Sequence, residues 1–121
     1  MEDLLRKGVE EFNTQSFFEA HDSWEELWAE TSGPDRLFYQ GLIQAAVAMY
    51  HAENGNLRGS CSQFAKALSK LDRYLPAYHG IDTGLLAGQI RACLRLAEEA
   101  RNGASGSPLR LPPVRIVQRR P

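Results

Sequence analysis

The run Leu42-Ile43-Gln44-Ala45-Ala46-Val47-Ala48-Met49-Tyr50 is apolar on nearly every side when wound as a helix, with Gln44 as its interruption. A helix without a polar face must be central, so the rest of the chain has to supply amphipathic partners that cover it. Its alanines let those partners approach closely. The run falls well short of the roughly 18 consecutive apolar residues of a membrane span. At 121 residues the chain has the length of one domain that can bury its core without disulfides or metals.

The partners are readable from apolar periodicity and its punctuation. Leu4, Leu5, Val9 and Phe12 predict a first helix from Glu2 to about Asn13, followed by the short connection Asn13-Thr14-Gln15-Ser16. Ser16 with Glu19 forms a capping-box pattern that starts a second helix near Phe17, running to about Glu30. Thr31-Ser32-Gly33-Pro34 breaks the chain, and the central helix then extends to about Glu53 and stops at Asn54-Gly55. Leu57, Cys61, Phe64, Leu68, Leu71 and Leu75 give a fourth helix ending at Leu75. Asp82 or Thr83 caps a fifth, which ends near Arg101-Asn102-Gly103. From Ala104 onward Gly, Ser, Pro and Arg replace the periodic pattern, and Pro108, Pro112, Pro113 and Pro121 oppose helix. The expectation is an all-α chain: a compact multi-helix bundle of about five helices over residues 1–103, and an irregular proline/arginine-rich basic tail over 104–121. That tail can dock through Leu109, Leu111, Val114 and Ile116.

Charge is divided unevenly. Residues 1–35 carry ten acidic side chains against Arg6 and Lys7, whereas residues 104–121 carry four arginines and no acid. An acidic body disfavours nucleic acid as principal partner. No charged and apolar leader opens the sequence and no apolar run spans a bilayer, so the expectation is a cytoplasmic protein without a membrane role. Cys61 and Cys93 fall on apolar stripes and read as buried thiols. His79, in the turn before the fifth helix, reads as exposed and without a functional role.

Two helices carry polar groups where apolar ones are expected. At about 100° per residue, His21 and Glu25 fall on the side of the second helix that holds Phe17, Phe18, Trp24 and Trp28. On the third helix, Arg36, Gln40, Gln44, His51 and Asn54 form one narrow polar line. If that line faces the second helix, His21, Glu25, Gln44 and His51 can converge, with Arg36 or Gln40 nearer one end. Three chemistries fit. The set can be a buried polar network that supports the fold. It can be a ligand or catalytic pocket, with His21 or His51 as acid or base, Glu25 fixing a tautomer, and Trp24, Trp28, Arg36, Gln40 and Gln44 lining the ligand. Or it can be a divalent-metal site of His21, Glu25 and His51. The spacing departs from the H-E-x-x-H metalloprotease pattern, because residue 22 is aspartate and residue 25 glutamate. A small molecule or a protein can be the partner, and a homodimer follows if the aromatic side chains stay exposed. Whether the chain is an enzyme or a binding scaffold is open at this level.

The residues Phe17-Phe18-Glu19-Ala20-His21-Asp22-x-Trp24-Glu25-x-x-Trp28, Arg36, Tyr39-Gln40-Gly41-Leu42-Ile43-Gln44, Tyr50-His51 and Asn54-Gly55-Asn56 together resemble the DUF309 family of small bacterial and archaeal helical proteins. The resemblance covers roughly residues 5–75. It implies an all-helical fold and no assigned activity. Asp22 stands where that family often has glutamate, which keeps an acid at the position.

Overall fold

The computed structural model describes residues 2–103 and 109–119. Helix α1 spans Glu2–Asn13, α2 Phe17–Ala29, α3 Asp35–Glu53, α4 Leu57–Leu71 and α5 Thr83–Arg101, with a short 3-10 turn at Asp72–Tyr74. Among the described residues there is no strand, only isolated bridges pairing Ile81 with Tyr78 and with Gln118. No helix among them is long and apolar enough to cross a membrane. The helices pack principally in chain order, α1 on α2, α2 on α3, α3 on α4 and α4 on α5. The largely apolar α3 therefore lies between two partners, with Phe38, Leu42, Ala46 and Ala48 fully buried.

One cap and one boundary differ from the sequence expectation for local reasons. Ser16 makes no side-chain cap to α2. Its amide donates to the Glu11 carbonyl at 2.8 Å, which closes α1 with Gln15 at φ 66°, while its carbonyl accepts from Ala20 N at 3.0 Å and opens α2 at Phe17 as expected. Helix α4 stops at Leu71, before the expected Leu75. The residue preceding Pro76 is driven to extended backbone, and Leu75 accordingly has φ −82° and ψ 153°. The Thr83 hydroxyl then takes the Tyr74 carbonyl at 2.6 Å, which fixes the turn into α5. Leu75 is exposed and leaves the apolar stripe.

Close packing of α1 on α2 depends on Gly8. A Cβ there would lie 2.1 Å from Trp24 Nε1. The absent side chain lets the fully buried Trp24 ring sit against the α1 backbone and donate to the Leu5 carbonyl at 3.2 Å. Both cysteines are buried free thiols, as expected, and burial pushes the Cys93 thiol up to about 11.

Residues 109–119 lie across the bundle rather than away from it. Val114 and Ile116 are buried, and Leu111 packs against the core. The carboxamide of Asn13, at the end of α1, donates to the Ile116 carbonyl at 2.9 Å and accepts its amide at 2.8 Å. Gln89 of α5 does the same to Arg115, at 2.9 and 3.0 Å. Asp82 N donates to the Val117 carbonyl, and the Arg119 guanidinium pairs with the Asp82 carboxylate at 2.7 Å. Helices α1 and α5, at opposite ends of the packing order, are thus joined through this segment. Residues 104–108 and 120–121 of the expected tail lie outside the described residues.

Candidate ligand-binding seam

The face that α2 turns to the core comprises Phe17, Ala20, Ser23, Trp24 and Leu27. On the helical wheel its centre is about 100° from His21, because α2 packs on α1 and α3 together and both claim the Trp24 side. His21 therefore lies at the flank of the apolar face, and Glu25, about 140° from its centre, lies beyond it. His21 is half-buried, while the Glu25 side chain keeps 55% of its exposure and needs no buried partner. The expected convergence is replaced by local contacts. His21 Nε2 is 3.4 Å from Glu25 Oε2, and its Nδ1 is 3.3 Å from Asp22 Oδ1 and 3.2 Å from the Phe18 carbonyl.

The polar line of α3 does lie at the surface as a continuous feature. Arg36, Gln40, Gln44, Val47 and His51 are all half-buried, while Phe38, Leu42, Ala45 and Ala46 behind them are buried. Ring contacts show how α2 and α3 meet. Phe18 lies 5.4 Å from Tyr50 at one end, and at the other the Arg36 guanidinium stacks 3.8 Å above the Trp28 ring. The helices run antiparallel, and the surface seam between them extends from the Phe18/Tyr50 pair to the Trp28/Arg36 pair. At about 1.5 Å rise per residue the ten-residue interval from Phe18 to Trp28 makes it roughly 15 Å long.

Each remaining candidate has a definite place. Arg36 Nη1 donates to the Trp28 and Thr31 carbonyls at 3.2 and 2.8 Å, so the guanidinium covers the C-terminal end of α2, where a cation is favoured, and does not reach for Glu25. His51 is held at the α3–α4 turn, its Nδ1 3.3 Å from Asn56 Nδ2, with Tyr50 and Phe18 between it and His21. Trp24 is core. The sequence pattern joins His21 and His51 in one metal site, whereas among the described residues the group that can offer three ligand atoms within 4.8 Å of one another is His21, Asp22 and Glu25.

Among the described residues, two side-chain atoms are buried without a hydrogen-bond partner, Trp28 Nε1 on α2 and Gln44 Oε1 on α3. One is a donor and the other an acceptor. Such groups are rare in folded proteins because each costs about 1–3 kcal/mol when unpaired. Replacing Gln44 with leucine is therefore expected to leave stability unchanged or raise it by up to about 1 kcal/mol, measured by urea denaturation. A loss above that would show that the carboxamide is needed to support the bundle.

A second polar cluster has no counterpart in the sequence reading. Asp35, at the first turn of α3, accepts from the Tyr78 hydroxyl at 2.5 Å and faces His79 Nε2 at 3.0 Å. His79, exposed as expected, has φ 48° and stacks on Tyr39 with 18° between the ring planes. The Tyr78 bond, with a smaller contribution from His79, holds the Asp35 carboxyl below its usual 3.8, and the same bond pushes the Tyr78 hydroxyl up to about 12. Because the Asp35 value is depressed, its contribution to stability is present above pH 3.8 and disappears as pH falls through the lower folded value. Asp35→Asn should accordingly lower the melting temperature at neutral pH, and its difference from wild type should shrink in melts recorded well below pH 3.8. A difference that persists undiminished in acid would mean that the carboxylate charge is not what matters. The cluster clasps the turn before α5 onto the start of α3.

An all-helical bundle with a polar seam between its second and third helices is the class of protein these features define. Residues 5–62 match the family model described as "Domain of unknown function (DUF309)". The matched segment holds most of α1, all of α2 and α3 and the start of α4, and so the whole seam. An Aquifex aeolicus (strain VF5) protein named "Uncharacterized protein" is 30% identical over 93 residues, 76% of this chain and 27% of that protein. The Bacillus subtilis (strain 168) "Uncharacterized protein YpuF" is 35% identical over 85 residues, 68% of this chain and 47% of that protein. The chain thus spans about a quarter and about half of these two relatives.

Proposed function

We propose that the protein is a binding module whose α2/α3 seam receives an extended peptide segment of a partner. The observation that carries this reading is the unmatched pair on the two helices, the Trp28 Nε1 donor and the Gln44 Oε1 acceptor. A peptide group offers the complement of both, a carbonyl for the indole and an N–H for the carboxamide. Phe18 and Tyr50, 48% and 38% exposed and in ring contact, supply an apolar anchor at one end. The exposed Asp22 and Glu25 carboxylates favour a basic residue in the partner. The roughly 15 Å length of the seam equals that of four to five extended residues at about 3.3 Å each.

Two tryptophans make the reading testable by NMR. Trp24 Nε1–H is bonded and fully buried, so only the Trp28 indole signal should shift when a peptide enters the seam. Peptides of about 12 residues selected from a random displayed library supply the probe. A selected peptide that binds with the Trp28 indole and the Gln44 carboxamide unmoved would contradict the assignment.

A divalent metal at His21, Asp22 and Glu25 is the second reading, favoured by the three ligand atoms lying within 4.8 Å of one another. When Nδ1–H is donated to the Phe18 carbonyl, the Nε2 lone pair faces the Glu25 carboxylate, an arrangement that a shared cation relieves. Titration calorimetry with zinc alone on untagged protein should then show one saturable site that His21→Ala removes. No heat beyond dilution rejects this reading and leaves the peptide reading standing.

A further inference from the structure

We infer that the groove between α1 and α5 is a second peptide receptor, occupied in cis by residues 114–117, and that its occupant in trans is the same segment of a second copy of this chain. The grip is directed at backbone. Asn13 closes a two-bond ring with the amide and carbonyl of Ile116, and Gln89 closes another with those of the adjacent Arg115. Asp82 N takes the next carbonyl, that of Val117. Three consecutive residues of extended chain are held by their peptide groups, as a strand is held by a sheet edge.

Side chains then set the preference. Val114 and Ile116, two residues apart, are 7% and 2% exposed and fill the core side, while Arg115 between them faces solvent. Three residues beyond Ile116, Arg119 meets the Asp82 carboxylate at 2.7 Å. The groove therefore reads an extended segment of the form apolar-x-apolar-x-x-basic. The sequence that demonstrably fits is 114–119 of this chain, and every copy carries both the segment and the groove. A strap held this way exchanges between copies when its own groove is blocked, giving a contact that is identical in cis and in trans. In the single chain the tether raises the local concentration of the strap, which keeps the cis form dominant when dilute. The groove is separate from the α2/α3 seam and does not depend on the reading given to it.

The test mixes two full-length variants and follows mass by sedimentation velocity. Asn13→Ala/Gln89→Ala weakens the groove and leaves the segment intact, while Ile116→Ala weakens the segment and leaves the groove intact. Each alone should sediment as a monomer, and the mixture should form a dimer. A mixture that remains monomeric, with both variants folded by circular dichroism, overturns the inference. A labelled peptide of residues 109–121 provides the second measurement. It should bind the Ile116→Ala chain at least about tenfold more tightly than wild type, because the cis competitor is weakened. If Ile116→Ala does not fold, Val114→Ala replaces it in both experiments. Equal binding of the peptide to wild type and variant also overturns the inference.

Discussion

Replacing Trp24 with alanine is expected to cost about 3–5 kcal/mol of folding stability, enough to unfold a marginal domain at ambient temperature. Three contributions disappear together. The indole is fully buried and touches Phe12 at a ring separation of 5.9 Å. Its Nε1–H is the partner of the Leu5 carbonyl. Its shape is also what Gly8 accommodates, so truncation leaves a void against bare α1 backbone that no neighbouring side chain of Gly8 can fill. Trp28→Ala should cost much less, since that ring is half-buried and stacks under a guanidinium at the surface. Chemical denaturation of the two variants measures the contrast. Equal losses would mean that α1 and α2 are not joined through Trp24.

Ile116→Ala is expected to cost about 2–4 kcal/mol, with the same denaturation experiment as readout. The side chain is 2% exposed and its backbone is gripped by Asn13, so the segment behaves as part of the core although it lacks helix. Ile116→Asp should cost more, but its loss has a ceiling. Once the penalty of burying the carboxylate exceeds the docking energy, the segment leaves the groove and further penalty has no effect. Ile116→Asp and removal of residues 109–121 should therefore destabilise by similar amounts. If Ile116→Ala proves neutral, the segment contributes nothing to the fold and the α1–α5 connection is incidental.

How far the sequence reaches is clearest at particular residues. The central position of α3 follows from its apolar run, and the residues from Arg36 to His51 do share one half-buried side of α3, because both depend on periodicity within a single helix. The surroundings of Glu25 do not follow. Its burial depends on where α1 and α3 meet α2, and that shifts the centre of the apolar face toward Trp24, which a wheel drawn for one helix cannot contain. Ser16 illustrates the same limit, since α2 begins after it as expected but its amide, which the Glu19 carboxylate of a capping box would take, is held by the Glu11 carbonyl of α1. The Asp35–His79 contact bridges 44 positions and exists because the turn before α5 folds back with His79 at positive φ. The amide rings of Asn13 and Gln89 leave no mark on the segment they hold, because a grip on peptide groups is indifferent to side chains. Its only trace is the apolar alternation of Val114 and Ile116.

The central claim is that the α2/α3 seam binds an extended peptide. Selection of random peptides of about 12 residues against the full-length protein, followed by affinity measurement on Phe18→Ser and Gln44→Leu variants, tests it most directly. The expected result is a set of peptides carrying a basic and an apolar residue whose binding falls at least about tenfold in either variant, a change of about 1.4 kcal/mol, while both variants stay folded. Peptides that bind the variants as tightly as wild type would contradict the claim. If those peptides instead lose binding on Asn13→Ala/Gln89→Ala, the peptide-binding surface of this protein is the α1/α5 groove and the seam is not.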